Sequence, residues 1–151
     1  MRYAQYIRRI LLTSDIILSE EDAMNQSITK EYHINASVSS VWDALINPET
    51  IDAWGGGPAV MNNQVGFEFS LWGGSIHGTN TEVINNYKLA QNWFNGDWPK
   101  PSELLFKITE SQGDTLLELK QTGVPENEID DIDSGWDDYY LGAIKSYLES
   151  K

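Results

Sequence analysis

Residues 27–36 alternate strictly between side chains expected to point inward and side chains expected to point outward. The positions of one parity are Ile28, Lys30, Tyr32, Ile34 and Ala36. An alternation with period two predicts a β-strand that buries one of its faces. His33 has the opposite parity, so we expect its side chain to be exposed.

A change of period marks two short helices after this strand. Apolar spacing of three and four over residues 38–46 predicts a helix that Ser37 caps through its hydroxyl. Pro48 ends that helix, because the residue before a proline resists the helical conformation. Residues 49–54 predict a second helix, and the three glycines and one proline of residues 55–58 end it.

Short alternating runs separated by turn residues occupy the chain from residue 67 to residue 119. One such run holds Phe67, Phe69 and Leu71, and another holds Leu104, Phe106 and Ile108. The turn signals between the runs are Gly73-Gly74, Asn85-Asn86, residues 97–101 and Gly113-Asp114. Together they predict about six antiparallel strands joined by short turns.

A single amphipathic helix is predicted from about Ser134 to the end of the chain. Its apolar stripe consists of Trp136, Tyr140, Ala143 and Tyr147, with Ile144 and Leu148 beside it. A long helix with one apolar face must bury that face against the sheet. The predicted fold class is therefore α+β, a curved antiparallel sheet wrapped around a long C-terminal helix, with two short helices after the first strand.

Composition narrows the classes of partner. The chain has 151 residues, which suits one domain, and a formal charge of −13 with a sequence pI near 4.3. Such acidity argues against nucleic acids and anionic membranes as partners, since both need a cationic footprint. The chain has no cysteine, which suits a reducing compartment and favours a cytoplasmic location. We expect a monomer or a weak dimer.

The first 23 residues differ from the rest in their pattern of apolar and charged positions. Arginines flank two short apolar runs that Asp15 separates, so the segment is too broken for a spanning helix or a signal peptide. One interpretation is that residues 1–23 are a non-native upstream extension and that a single domain at 24–151 starts at Met24. The other makes the segment a short amphipathic helix that docks on the domain or on a partner.

Several segments in fixed order resemble a known family. They include Val41-Trp42, Gly66-Phe67-x-Phe69, Trp98-Pro99, Gly123-Val124-Pro125 and Gly135-Trp136-x-x-Tyr139-Tyr140. This order is similar to that of the heat shock protein 90 ATPase activator homologue family, of the type found in its C-terminal domain. The family belongs to the START-like (SRPBCC) superfamily, and the resemblance runs from Ile28 to Glu149.

The resemblance implies a helix-grip fold, in which a curved sheet holds one long helix. START-like domains commonly enclose an apolar cavity between the sheet and that helix, and many bind small apolar molecules there. Eukaryotic activators also carry an N-terminal domain that binds the chaperone, whereas single-domain members are widespread in microbes. The resemblance therefore implies two functional classes, and the fold alone does not choose between them.

The candidate ligand-binding residues are those expected to point between the sheet and the helix. They are Trp54, Phe69, Leu71, His77, Trp93, Phe106, Trp136 and Tyr140. Rigid aromatic walls suit a pocket for a small apolar molecule. The competing interpretation is a filled core, since aromatic side chains at these spacings pack into cores more often than they line cavities.

His77 and the acidic run are weaker candidates for chemistry. His77 could orient a polar ligand, but its parity is opposite to that of Ile76, and a hydrogen-bonded surface histidine is the simpler interpretation. Seven carboxylates lie between residues 126 and 138 without the spacing of a calcium loop. Acids there favour the helix N-terminus, so we expect no metal, no cofactor and no catalytic constellation.

Three functions remain open from the sequence. The first is binding of a small apolar ligand between the sheet and the C-terminal helix, in a carrier or sensor role. The alternative is a co-chaperone-like protein that modulates a heat shock protein 90 type ATPase. The third is an uncharacterised enzyme of the START-like superfamily, which ranks last because no paired catalytic groups are readable.

Overall fold

Six antiparallel strands form one curved sheet in the computed structural model, in the order β1-β6-β5-β4-β3-β2. The structure describes residues 27–151. The predicted extension at residues 1–23 and the domain start at Met24 lie outside the described residues. A C-terminal helical segment, residues 129–149, packs against the inner face of the sheet, so the predicted α+β helix-grip fold is confirmed.

The first strand and the two short helices match the hydrophobic pattern. Strand β1 is Ile28–Ile34, helix α1 is Val38–Ile46 and helix α2 is Pro48–Trp54. The Ser37 hydroxyl accepts a hydrogen bond from the Ser40 amide at 3.1 Å, which is the predicted cap. His33 is exposed, as its parity predicts.

Five strands follow the helices, one fewer than the turn signals suggested. They are β2 Glu68–Leu71, β3 Ile76–Ile84, β4 Lys88–Asn95, β5 Ser102–Ser111 and β6 Asp114–Thr122. The Gly73-Gly74 pair lies in the predicted hairpin, but residues 72–75 connect the strands, and Trp72–Gly74 form a 3-10 turn. Strand β1 completes the sheet beside β6, the last strand in the chain.

Buried amides tie the central strands to the loop before β2. Asn80, at a bulge in β3, donates to the carbonyls of Asn62 and Gln64 at 2.9 and 3.2 Å. Gln91 of β4 donates to the Asn80 side chain at 2.9 Å. Because these groups are fully buried, their hydrogen bonds fix the path of the loop that the alternation pattern left undefined.

The C-terminal helical segment begins earlier than predicted and contains an irregular turn. Helix α3 spans Ile129–Gly135, a π-helical turn spans Trp136–Tyr140 and helix α4 spans Leu141–Glu149. The predicted start near Ser134 is therefore wrong by about one turn. The acids before Ser134 hid the beginning of the helix, because their polarity concealed the inward position of Ile132.

The π-helical turn also shifts the apolar stripe. In this turn the Leu141 amide bonds to the Trp136 carbonyl, five residues back, so one extra residue enters the helix. Tyr140 and Leu141 are consequently both buried. Beyond the turn the buried positions are Ile144 and Leu148, whereas the predicted Ala143 and Tyr147 are only partly buried.

Gly142 permits this irregularity. A methyl group added at Gly142 would collide with the backbone carbonyl oxygen of Asp137, which lies five residues earlier. Tyr140 departs from helical geometry, with φ −114° and ψ −81°. The backbone therefore comes closest to itself where the stripe changes register, and glycine is the residue that fits there.

The helices among residues 27–151 lie on one face of the sheet. The inner face of the sheet, α1, α2 and residues 129–149 enclose the core, whereas outward positions on β5 and β6 carry Lys107, Glu118 and Lys120. None of the helices among residues 27–151 has the length and apolar character required to cross a membrane.

We predict that Gly142→Ala lowers the free energy of unfolding by about 1–3 kcal/mol, because the added methyl forces the helix apart at the π-helical turn. Thermal or urea denaturation followed by circular dichroism measures the change. Gly135→Ala is the matched control, since nothing lies within 4 Å of a methyl group there and its φ of −63° is helical. A neutral effect of Gly142→Ala would contradict the role of the close approach.

Candidate functional site

A cleft of about 350 Å³ opens between the sheet and the C-terminal helical segment. The side that belongs to the sheet is lined by Trp72, Ser75, Ile76, Trp93 and Asn95. The helical side is lined by Asp131, Ile132, Gly135, Trp136, Tyr139 and Tyr140. The cleft therefore lies where helix α3 and the π-helical turn leave the sheet, near the hairpin between β2 and β3.

Stacked and tilted aromatic rings form the floor of the cleft. The rings of Trp136 and Tyr140 lie 4.5 Å apart, and Trp93 stacks on Trp136 at 5.4 Å with an interplanar angle of 28°. Trp72 meets Tyr140 edge to face at 5.8 Å. Such pairs contribute beyond their buried area, so these rings hold one another in fixed orientations.

A second layer of aromatic side chains supports this floor from the core. Trp54 packs on Tyr140 at 5.0 Å, and Phe106 lies 5.9 Å from both Trp136 and Tyr140. The Trp54 indole donates a hydrogen bond to the Ala44 carbonyl at 2.8 Å, which ties it to helix α1. The rings that line the cleft thus rest on side chains with little freedom to move.

A buried chain of hydrogen bonds anchors the floor to the sheet. The Trp136 indole donates to Gln121 at 2.8 Å, the Gln121 amide donates to Ser102 at 2.8 Å, and Ser102 donates to the Trp93 carbonyl at 3.1 Å. Gln121 and Ser102 are fully buried. Because an unpaired buried amide is costly, this series of hydrogen bonds selects one orientation of the Trp136 side chain.

Two polar atoms at the cleft have no such partner. The Trp93 Nε1 atom is buried without a hydrogen-bond acceptor among residues 27–151. The hydroxyl of Tyr140 forms no hydrogen bond in the same part of the chain, and burial raises the pKa of this side chain, so the hydroxyl stays protonated. Both groups are hydrogen-bond donors on side chains that line the cleft.

The predicted site residues divide into those that line the cleft, those that are buried in the core, and His77, which belongs to neither group. Trp93, Trp136 and Tyr140 line the cleft. The second group is buried in the core beneath or beside the cleft and consists of Trp54, Phe69, Leu71 and Phe106. One layer of the aromatic stripe therefore lines a cleft and the other fills the core beneath it, and the binding of a ligand by these residues stays a prediction.

His77 lies on the opposite face of the sheet and does not line the cleft, although it shares a smaller pocket with the candidate Phe69. Its ring stacks on Phe94 at 5.1 Å, and its Nε2 atom donates to the Gly96 carbonyl at 2.9 Å. Its neighbour Ile76, of opposite parity, is the one that lines the cleft. The simpler interpretation of His77, a hydrogen-bonded surface histidine, agrees with these contacts.

Sequence reasoning missed other residues of the site. Trp72 is absent from the predicted site residues, yet it lines the cleft from the turn between β2 and β3, where its φ of +50° is unusual for a bulky residue. Ile132 and Gly135 lie in the helix Ile129–Gly135, most of which precedes the predicted start at Ser134. Gln121 could have been found, since it is polar at an inward position of its strand.

An ionic clasp holds the helical wall of the cleft to strand β1. Lys30 donates to Asp133 at 3.0 Å and to Asp137 at 2.9 Å, and the Tyr32 hydroxyl donates to Asp137 at 2.5 Å. Lys30 is mostly buried, whereas the two carboxylates are nearly half exposed. These four residues, the β1 clasp, use two of the seven acids in the run at residues 126–138.

The contacts of the β1 clasp shift the pKa values of its members. Hydrogen bonds from Tyr32 and then from Lys30 hold the pKa of Asp137 below its ordinary value of 3.8. Burial, followed by the hydrogen bond to Asp137, raises the pKa of Tyr32. Burial alone would lower the pKa of Lys30, but its hydrogen bonds to Asp137 and Asp133 outweigh that effect and raise it.

No metal cluster accompanies the acids in the described part of the chain. Among residues 27–151, no three His, Asp or Glu side chains lie where together they could hold a metal ion. Glu128 instead accepts a hydrogen bond from the Trp98 indole, with its two oxygens at 3.1 and 3.0 Å. The acids whose contacts are seen here serve to position the helical segment.

Comparison with known families assigns most of the chain to one family. Residues 35–149 match the family model described as Activator of Hsp90 ATPase homolog 1-like protein. A curated relative, the activator of 90 kDa heat shock protein ATPase homolog from Dictyostelium discoideum, is 28% identical over 141 residues. That match covers 89% of this chain but 37% of the relative, so the chain spans little more than a third of such proteins.

Solved structures agree on the fold. An HSP90 activator from Plasmodium falciparum superposes with a TM-score of 0.76 at 22% identity, covering 82% of this chain and 96% of that one. The Aha1 dimer from Colwellia psychrerythraea superposes with a TM-score of 0.71 at 19% identity, covering 82% and 96%. At these identities the likeness concerns the fold alone.

We predict that Asp137→Asn weakens the β1 clasp and lowers the free energy of unfolding by about 0.5–1 kcal/mol at pH 7, a small effect because the carboxylate is partly exposed. The folded-state pKa of Asp137 is depressed, so its contribution is present above the ordinary value of 3.8 and is lost as the pH falls below it.

Urea denaturation between pH 7 and about pH 3 should therefore show that the free energies of unfolding of the wild type and the variant become equal as the pH falls. Asp138→Asn is the matched control, since this exposed neighbour forms no hydrogen bond within the described residues. A difference in the free energy of unfolding between the wild type and Asp137→Asn that does not change with pH would contradict a stabilising role of the β1 clasp.

Proposed function

This chain belongs to the family of Activator of Hsp90 ATPase homolog 1-like proteins, and from that membership we propose that it modulates the ATPase of a heat shock protein 90 type chaperone. The match over residues 35–149 carries the proposal. The P. falciparum structure named as an HSP90 activator supports it, because this chain covers 96% of that one. A cytoplasmic location forms part of the proposal and suits a chain without cysteine.

The surface near the cleft supports a protein partner. Tyr139 is 68% exposed on the π-helical turn, and the exposed acids Asp130, Asp131 and Asp138 lie on the same helical segment. Exposed tyrosine side chains commonly anchor interfaces, and a surface of one charge sign steers a partner of the opposite sign. A chaperone surface with basic side chains around an apolar spot would fit this arrangement.

We predict that the full chain raises the ATP turnover of the heat shock protein 90 type chaperone from the same organism. The stimulation should fall as salt increases from about 0.05 M to about 0.5 M, because salt screens the acidic surface. A coupled ATPase assay measures turnover, with a specific inhibitor of the chaperone defining the background. Unchanged turnover at every salt concentration would remove the proposal.

A matched pair of variants locates the contact. Tyr139→Ala should raise the half-saturating concentration of the protein about fivefold or more, as the loss of an interface anchor does. Tyr87→Ala is the control, since this tyrosine is also exposed but lies in the turn between β3 and β4. Equal effects of the two variants would exclude the surface around Tyr139.

A second candidate function is the binding of a small apolar molecule in the cleft. Its volume of about 350 Å³ falls within the usual range of small-molecule sites, and its lining is dominated by aromatic and aliphatic side chains. The rigid two-layer aromatic floor supports it further, because a site that is already ordered loses little entropy on binding.

We predict that N-phenyl-1-naphthylamine, a neutral apolar fluorophore, binds the full chain with saturable 1:1 enhancement of its emission. Gly135→Leu should weaken this binding about tenfold or more, because the added side chain fills the cleft. Ser134→Leu is the matched control, exposed and next in sequence but outside the cleft lining. Emission that never saturates would count against this second function.

A further inference from the structure

We propose that the cleft selects a flat aromatic molecule that is neutral or cationic and carries a hydrogen-bond acceptor, and that it discriminates against organic acids. This inference rests on the second proposal above, that the cleft holds an apolar ligand, and it names the chemical class of that ligand. Three features of the lining carry it: the charge at the rim, an unpaired donor in the floor and the shape of the ring cluster.

The charge at the rim is negative. Asp131 is the one formally charged side chain among the described residues that line the cleft. Lys30 on β1, a cation close to this helical segment, is already paired with Asp133 and Asp137. An anionic ligand would therefore enter an apolar site beside a carboxylate with no cation in the lining to compensate it, which is unfavourable at low dielectric.

The unpaired donor is the indole of Trp93. The indoles of Trp54, Trp98 and Trp136 donate to Ala44, Glu128 and Gln121 respectively. The Trp93 Nε1 atom, on a side chain that is 3% exposed, has no acceptor within residues 27–151, although Trp93 lines the cleft.

An indole nitrogen can only donate, so a carbonyl or ring acceptor on the ligand is the partner that this atom lacks. Two buried side-chain atoms lack a partner among residues 27–151, the Oε1 atom of Gln91 and the Nε1 atom of Trp93. Of these two residues only Trp93 lines the cleft, which is why we assign its indole to a bound molecule.

The shape of the cleft favours a planar occupant. Trp93 and Trp136 stack with an interplanar angle of 28°, and the Trp72 ring meets Tyr140 edge to face. Ile76 and Ile132 complete the apolar part of the lining. Rings prefer offset or edge contacts with other rings, so a planar aromatic molecule extends the arrangement that the side chains already adopt.

The charge of the ligand is tested with two probes on the same aromatic scaffold. N-phenyl-1-naphthylamine is neutral, and 8-anilinonaphthalene-1-sulfonate carries one sulfonate on the same rings. We expect the full chain to bind the neutral probe about tenfold more tightly, and Asp131→Asn to narrow that ratio about threefold. Asp130→Asn is the matched control, since this exposed acid is next in sequence but outside the lining, and it should leave the ratio unchanged.

The acceptor is tested with 2-acetylnaphthalene and 2-ethylnaphthalene, which have similar size and differ by a carbonyl oxygen. Displacement of the neutral fluorophore should show the ketone binding about threefold to tenfold more tightly, as one hydrogen bond allows. Trp93→Phe keeps a ring in place and should abolish the preference. If that variant does not fold, the indole N–H resonance of Trp93 in the wild type should shift with the ketone and not with the hydrocarbon.

The outcomes separate this inference from the proposals beneath it. Saturable binding with equal affinity for the neutral and sulfonated probes, or for the ketone and the hydrocarbon, overturns the ligand class while ligand binding itself stands. An absence of saturable binding by every probe overturns both ligand proposals. Neither result affects the chaperone proposal, because the ATPase assay is measured without the probes.

Discussion

The burial of two aromatic side chains from one helical segment is the interaction on which the structure depends. Trp136 and Tyr140 are nearly inaccessible and face the inner side of a curved sheet. To keep them there and still bury Leu141, Ile144 and Leu148, the segment adopts a π-helical turn. That turn directs one end of the segment into the core and lets the other end form the wall of a cleft.

Polar groups in the interior make this aromatic packing specific. Gln121 and Ser102 link the Trp136 indole to the backbone of β4, while Asn80 and Gln91 tie the central strands to the preceding loop. Each bond satisfies a group that would be costly to bury alone. Two buried atoms among residues 27–151 lack a partner, the Oε1 atom of Gln91 and the Nε1 atom of Trp93, and Trp93 is the one of the two residues that lines the cleft.

The acidity of the chain has a local meaning in the fold. Asp133 and Asp137 fasten the helical segment to Lys30, and Glu128 receives the Trp98 indole, so these acids position the wall of the cleft. Asp130, Asp131 and Asp138 remain exposed on the same segment. One stretch of sequence thus both orders the site and sets the charge that a partner or ligand meets.

The sequence alone determined the fold class, because period-two and helical spacings record which side chains each element buries. Strand parity placed Trp93, and helical spacing placed Trp136 and Tyr140, between the sheet and the C-terminal helix, and apolar spacing with the Ser37 cap predicted the first short helix. Tertiary structure decided the rest: the helix start at Ile129, the register shift at Gly142, the outward face of His77 and the contribution of Trp72. Local patterns report burial but not depth, so only the packing of helix on sheet could separate residues that line the cleft from residues that fill the core beneath it.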